Sequence, residues 1–195
     1  IPVTLAPKSF TMSLLIFFTI FSVLLISVFA ASSTRKFTAS TPFAGNITNC
    51  NLFCATKLAK NKYFLKLILQ LDIYKKRKNF LNVRKRTSFL DAVTKFGSII
   101  ISHQQDNALN YLYLEALYLN LPLLHNSNFI KESGYYYPDN DIDIAKLQIT
   151  KILKDHKINI SNYALNAGKV FNKFSYKNPE NIKNYENKIS SLLNK

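Results

Sequence analysis

A short apolar, β-branched run lies between two segments of helical periodicity in this sequence. Residues 98–102 read Ser-Ile-Ile-Ile-Ser, the composition and length of a buried parallel strand. The stretch 88–96 before it has apolar residues at helical intervals and is followed by Gly97, which predicts a helix that ends at glycine. An apolar helix over 108–119 and a strand over 121–125 complete a β-α-β unit, for which we expect a right-handed crossover.

The alternation of strands and helices extends on both sides of this unit. A short apolar run predicts a strand over 80–83, and helices are expected over about 141–156, 162–171 and 179–193. The sequence therefore predicts an α/β fold in which a Rossmann-like parallel sheet is flanked by helices.

An uncharged run covers residues 11–31 and is about long enough to span a hydrocarbon core. We expect an apolar helix here, either a membrane span or a signal-like segment; Lys8 and the small residues near Ala30 also fit a signal peptide. Positive charge is concentrated on the C-terminal side of the run, so a membrane span would leave the body cytoplasmic or on the cytoplasmic face of a membrane.

Three regions follow from these patterns. Residues 1–31 form the apolar segment; since the first methionine is Met12, we expect this segment to be either a piece of a truncated larger protein or foreign to the domain. Residues 32–49, rich in Ser, Thr, Ala, Pro and Gly, are a predicted linker. Residues 50–195 are the predicted domain, which begins with a helix within 50–70.

The net charge of +15 is concentrated in one stretch. Residues 57–86 contain eleven Lys or Arg against the single acid Asp72, whereas the net charge of residues 87–195 is only +2. A nucleic-acid-binding domain would carry positive charge across its folded body, so this distribution argues against nucleic acid as a partner. A solvated helix face and a surface for anionic lipid headgroups both stay open.

Cys50 and Cys54 would share a face if their segment were helical, and we expect them to be reduced core residues. No Cys-x-x-Cys pair or clustered histidine accompanies them, and residues 102–127 have no Asp-x-Asp pair. No metal site is expected.

Ligands of open α/β sheets bind outside the carboxyl ends of the strands, which here corresponds to residues 102–127. Unpaired N–H groups of the first helical turn, near Asn107 to Asn110, would suit a diphosphate, and Asn107 is a candidate N-cap. Glu115 in the same helix either accepts hydrogen bonds from ribose hydroxyls or simply faces solvent.

Other polar and aromatic residues have two interpretations each. His103, His125 and Asn126 either face a bound ligand or bond to neighbouring loops. The residues 135–137, three tyrosines, are either a stacking face or packing residues. His156, between nearby lysines late in a helix, is expected to complement the helix dipole.

The segment LEALYLNLP resembles a pattern of GT-B-type glycosyltransferases, in which one acid lies in a loop, a second acid follows eight residues later, and Gly-x-Pro follows the helix. Glu115 occupies the place of the second acid. Asn107 stands where the family has its first acid, so the role of that acid at the sugar is not matched. Asn120 replaces the glycine, a mild departure because asparagine tolerates the left-handed conformation.

The resemblance extends from about Thr87 to the end of the chain, as the C-terminal, donor-binding lobe of a GT-B fold. It is closest to a poorly characterised glycosyltransferase-like family of bacteria and phages that shares the Ser-His-Gln, Asn-Tyr-Leu-Tyr, His-Asn-Ser and Gly-Tyr-Tyr-Tyr-Pro blocks. Matching positions in the later blocks are Gly134, Pro138, Asp141, Phe174, Ser175, Tyr176, Tyr185 and Glu186.

The resemblance implies a hexosyltransferase-like activity with a nucleotide diphosphate sugar as donor substrate and no further cofactor. The donor-binding residues it implies are Ser102, His103, Asn107, Asn110, Glu115, His125 and Asn126; it identifies no catalytic residue. A chain of 195 residues is too short for both lobes, so an acceptor lobe is missing or belongs to a partner subunit, and this piece alone is expected to be inactive.

Two other functions stay open. The chain is a noncatalytic nucleotide or sugar-binding remnant if the acid missing at Asn107 marks lost catalysis. Alternatively, it is a membrane-associated interaction protein that uses the basic stretch 57–86.

Overall fold

The structure, a computed structural model, describes residues 12–17, 47–70, 79–97, 99–104 and 109–194. A parallel sheet of six strands lies at the centre of this part of the chain. The strand order is β3-β2-β1-β4-β5-β6, and all neighbouring pairs are parallel. The strands are β1 (Met12–Phe17), β2 (Ile47–Phe53), β3 (Leu81–Val83), β4 (Ile99–Ser102), β5 (Leu123–His125) and β6 (Tyr135–Tyr136).

Helices cover both faces of this sheet. The described α-helices are α1 (Lys62–Gln70), α2 (Phe89–Phe96), α3 (Tyr111–Tyr118), α4 (Ile142–Asp155), α5 (Ile160–Phe174) and α6 (Pro179–Leu193). One core lies between the sheet and helices α1 and α4, and the other lies between the sheet and helices α2, α3 and α5. The alternation of side chains along β4 supplies both cores, since Ile99 and Ile101 pack in the first and Ile100 in the second. The predicted Rossmann-like α/β fold is confirmed.

Local signals placed several of these elements. The Ser88 hydroxyl accepts a hydrogen bond from the Asp91 N–H (3.2 Å) at the start of α2, and the Gly97 N–H bonds to Val93 O where α2 ends. At the end of α3, Asn120 has a left-handed φ of 52°, as its place after the helix predicted. The Leu121 N–H bonds to Ala116 O (2.9 Å), which completes a Schellman motif.

The N-terminal predictions need correction. Residues 12–17, expected in an apolar helix, form β1 at the centre of the sheet and pair with β2 and β4. Residues 47–49, assigned to the linker, begin β2, and residues 50–53 continue that strand rather than forming a helix. An uncharged apolar run is compatible with a buried parallel strand as well as with a membrane helix. Here residues 12–17 form a strand because they pair with neighbouring strands. The remainder of the segments 1–31 and 32–49 lies outside the described residues.

The two cysteines do not share an environment. Cys50 is buried in β2, whereas Cys54 is exposed in the turn that follows, with a left-handed φ of 57°. Both are free thiols, but only Cys50 is a core residue. Among the helices that the structure describes, none combines the length and the hydropathy that a membrane crossing requires.

Candidate functional site

The site region is the carboxyl edge of the sheet between β1 and β4. From β1 the strand order runs to β2 and β3 on one side, and from β4 it runs to β5 and β6 on the other. Helices α1 and α3, which follow β2 and β4, accordingly pack on opposite faces. Phe17 and Ser102 are register partners at the ends of β1 and β4. This arrangement is the topological switch point where open α/β sheets bind ligands.

A side chain from the loop after β5 holds the loop after β4. The Gln104 N–H donates to Asn126 Oδ1 (2.9 Å), and Asn126 Nδ2 donates to Gln104 O (2.8 Å). These paired bonds satisfy both backbone groups of Gln104, and they occupy the Asn126 amide. Asn126 therefore positions the loop at the switch point.

Ser102 and His103 lie buried at the end of β4. Gln104 Nε2 donates to Ser102 Oγ (3.2 Å). The His103 ring stacks on Tyr137, with His103 Nδ1 and Tyr137 Oη 2.9 Å apart. Burial lowers the pKa of His103, and burial together with the nearby Tyr113 raises the pKa of Tyr137, so both side chains are neutral near pH 7.

Tyr113, in the first turn of α3, extends this polar cluster from the helix side. Its side chain is fully buried, which raises the pKa of its hydroxyl to about 12. The hydroxyl is close enough to Ser102 to moderate that rise, yet it makes no hydrogen bond of normal geometry within the described residues. A buried hydroxyl with an unmet hydrogen bond at a ligand-binding edge is a candidate ligand contact.

Helix α3 begins at the same edge. Its N-cap is Asn110, whose side chain accepts from the Leu112 N–H (3.1 Å), while the Tyr113 N–H bonds to Asn110 O (2.9 Å). The observed helix therefore starts three residues later than predicted, since Asn107 was expected to be the cap. Asn107 itself lies among residues 105–108, outside the described residues.

Glu115 lies in the second turn of α3 on its exposed face, together with Tyr111 and Tyr118. The opposite face of the helix is buried against the sheet. Within the described part of the chain no Lys, Arg or His reaches salt-bridge distance of Glu115. The described residues also contain no group of three His, Cys, Asp or Glu placed to bind a metal ion.

His125 holds its own loop instead of facing outward. Its Nδ1 accepts from the Ser127 N–H (3.1 Å), so Nε2 carries the proton and donates to Ser133 O (2.8 Å). Burial lowers the pKa of His125 to about 4, against the opposing effect of the Ser133 carbonyl. Gly134 adjoins the ring with a φ of 69°, and a Cβ there would lie 2.8 Å from His125 Nε2. Both ring nitrogens of His125 bond to backbone groups of this chain, so neither is available to a bound nucleotide sugar.

His156 was predicted to complement the dipole of its helix, but it bonds to other parts of the fold instead. It is buried, its Nε2 donates to Asn120 O (3.1 Å), and its Nδ1 accepts from the Tyr135 hydroxyl (2.9 Å). The Tyr163 hydroxyl donates to Leu121 O (2.6 Å) beside it. These bonds tie helices α4 and α5 to the loop between α3 and β5.

The predicted site residues thus divide by position. Ser102, His103 and Asn126 meet at the switch point, while Asn110 and Glu115 lie on the first turns of α3. Patterns in the sequence did not assign Gln104 and Tyr113 to the cluster, and they left open whether Tyr137 stacks on a ligand or packs in the core. The last belongs to the Gly-Tyr-Tyr-Tyr-Pro block, and Tyr113 to Asn-Tyr-Leu-Tyr, so the blocks themselves were the available signal.

Solved structures share this architecture. The crystal structure of TarM, a glycosyltransferase of the GT-B family, matches with a TM-score of 0.55 at 13% sequence identity. The match covers 96% of this chain and 37% of the TarM chain, so the chain spans little more than a third of that protein. At this identity the likeness concerns the fold, which is glycosyltransferase-like.

Sequence similarity, unlike the likeness of fold, identifies a family for this chain. No curated protein sequence matches the chain. A family match extends over residues 43–189, from just before β2 to within α6, which is well over half of the chain. The chain therefore belongs to the family described as "Protein of unknown function (DUF2827)".

Proposed function

We propose that this chain is the donor-binding lobe of a two-lobed glycosyltransferase. In this proposal a nucleotide diphosphate sugar binds at the carboxyl edge of the sheet between β1 and β4. The observation that carries it is the convergence of the β4 loop, the buried polar cluster and the start of α3 at the topological switch point.

Each part of this edge has a role in the proposal. The N-terminus of α3 suits the diphosphate, because its dipole favours negative charge. The exposed carboxylate of Glu115 accepts hydrogen bonds from the ribose hydroxyls. Tyr113 offers a neutral hydroxyl to the diphosphate or the sugar, His103 belongs to the same polar cluster, and Asn126 keeps the β4 loop in place.

The acceptor belongs to a second lobe in this proposal, since the chain spans 37% of the TarM chain. Transfer needs the acceptor hydroxyl beside the anomeric carbon in a site that excludes water. The lobe alone is therefore expected to bind a donor without transferring its sugar at an appreciable rate.

The test is calorimetric titration of the chain with UDP, GDP and their sugar conjugates. One nucleotide should bind, and Glu115→Gln should weaken binding by about 1–3 kcal/mol because charged hydrogen bonds are lost. Asp155→Asn at the exposed end of α4 is the matched control, with the same charge change, and should leave affinity unchanged. It lies away from the switch point, because its neighbour His156 bonds to Asn120 O, before β5, at the opposite edge of the sheet. A folded chain that binds none of these ligands would refute the proposal, and equal effects of the two substitutions would refute the role of Glu115.

A noncatalytic donor-binding module is the second candidate, favoured by Asn107 in place of the first acid of the GT-B pattern. Restoring that acid with Asn107→Glu distinguishes the two in a complex with the acceptor lobe. Measurable transfer by the unaltered chain supports the enzyme, whereas transfer only after the substitution supports the noncatalytic module.

A further inference from the structure

Helix α1 and the turn before it form a surface whose charge has one sign. Lys57, Lys60, Lys62 and Lys66 are all exposed there. The described segment 47–70 contains no Asp or Glu to neutralise them. By contrast, the exposed lysines of α4 and α6 share their helices with Asp143 and Asp155, and with Glu180 and Glu186.

The outer face of α1 is also apolar. Phe64 and Ile68 fasten the helix to the core, which turns the opposite face to solvent. On that exposed face Tyr63 is 86% exposed, Leu69 is 61% exposed and Leu65 is 43% exposed. Helical spacing places Leu65 and Leu69 on the same stripe as the two helix lysines, Lys62 and Lys66.

A neighbouring loop extends the positive surface. The Arg84 N–H bonds to Leu52 O (2.7 Å), and the Ala55 N–H bonds to Arg84 O (3.2 Å), so the loop after β3 adjoins the turn before α1. Lys85 and Arg86 in this loop are exposed. Arg84 itself is engaged within the fold, with its Nε bonded to Asn51 and its guanidinium over the Phe96 ring.

Basic and large apolar side chains on one exposed helix face match an anionic bilayer surface. Lysines pair with lipid phosphates, while leucine and tyrosine enter the boundary between headgroups and acyl chains. A nucleic-acid backbone would satisfy the lysines but leave Leu65 and Leu69 in water. We propose that the outer face of α1, the turn 57–60 and the loop 85–86 dock on an anionic lipid bilayer. This proposal is independent of the donor site.

The experiment measures binding of the full chain to phosphatidylcholine vesicles with and without about one third phosphatidylglycerol, by co-sedimentation. Binding should require the anionic lipid and weaken as salt is raised. Each lysine near an anionic surface contributes about fivefold to affinity. Replacing Lys57, Lys60, Lys62 and Lys66 with Gln should therefore weaken binding by more than about a hundredfold.

The matched control replaces Lys151, Lys154, Lys183 and Lys188 with Gln, the same change of net charge on exposed positions of α4 and α6. It should change vesicle binding only a few-fold. Equal losses in the two variants would overturn the proposal, because they would report net charge and not this surface. If the first variant does not keep the thermal unfolding midpoint of the wild type, the pair Lys62→Gln and Lys66→Gln replaces it.

A second comparison tests the apolar part. Leu65→Ser with Leu69→Ser should weaken vesicle binding at least tenfold, because two inserted side chains are lost. Leu147→Ser with Leu165→Ser, at positions 62% and 63% exposed on α4 and α5, should have little effect. Binding of a DNA oligonucleotide more tightly than anionic vesicles, or no loss in the Leu65 and Leu69 variant, would overturn the proposal.

Discussion

Acidification should destabilise this fold through His125. In the folded protein the imidazole is neutral, because Nδ1 accepts the Ser127 N–H and only Nε2 donates, to Ser133 O. A proton added to Nδ1 would confront that N–H in a site with no solvent access. Burial accordingly lowers the pKa of His125 from 6.5 to about 4.

The direction and size of the effect follow from linkage. Between pH 6.5 and 4 the unfolded chain binds a proton at this histidine and the folded chain does not, so stability falls as pH falls. The stability that neutral His125 contributes is complete above about pH 6.5. Its full loss by pH 4 lowers the free energy of unfolding by about 3 kcal/mol. About 2 kcal/mol of it should be lost between pH 7.5 and pH 5. Burial lowers the pKa values of His103 and His156 as well, which adds to the loss in the same direction.

Urea unfolding at pH 7.5 and pH 5, with wild type and His125→Gln, measures this contribution. Glutamine retains a donor for Ser133 O but does not titrate, so the variant should lose about 2 kcal/mol less between the two pH values. The ring resonances of His125 should also keep their neutral shifts down to about pH 5 in NMR titrations. An identical pH dependence of the two proteins, or a His125 titration near pH 6.5, would refute the reasoning.

Three further substitutions test local geometry by thermal unfolding. Gly134→Ala should lower the free energy of unfolding by about 2–4 kcal/mol, because alanine is strained at this left-handed φ and its Cβ would contact His125. The loss should be smaller in a His125→Ala background, and simple additivity of the two substitutions would contradict this. Asn126→Ala leaves the N–H and C=O of Gln104 without their partner, so it should lower the free energy of unfolding by about 1–3 kcal/mol and weaken nucleotide binding; an unchanged midpoint would contradict the paired bonds. Asn120→Ala should cost about 1 kcal/mol, whereas Asn120→Gly should be neutral within a few tenths; equal effects would argue against the left-handed cap.

Much of the fold was predictable where local chemistry decides. The β4 run of isoleucines and the helical periodicity over 88–96 and 141–156 placed a strand and two helices close to their observed bounds. Asn178 followed by Pro179 begins α6 where the sequence predicted. Each of these signals acts within a few residues, so no knowledge of the rest of the chain was needed.

The sequence predicted which residues gather at the carboxyl edge of the sheet, but not the bonds that they make there. Position at the carboxyl edge followed from the β-α-β pattern, which put Ser102, His103 and Asn126 in one region. Whether a polar atom there is available to a ligand depends on partners from elsewhere in the chain. Asn126 bonds to a residue 22 positions away, and His103 to one 34 positions away.

Patterns in the sequence were enough to predict the α/β class, the elements from β3 to α6 other than β6, and which residues lie at the carboxyl edge of the sheet. Those features depend on hydrophobic periodicity and on helix caps, which are local. Three features depend on tertiary contacts instead: β1 lies at the centre of the sheet, His125 and His156 bind backbone carbonyls, and α1 presents lysines and leucines together. The physical reason is that strand pairing and burial are set by contacts between residues far apart in the chain, which no local pattern records.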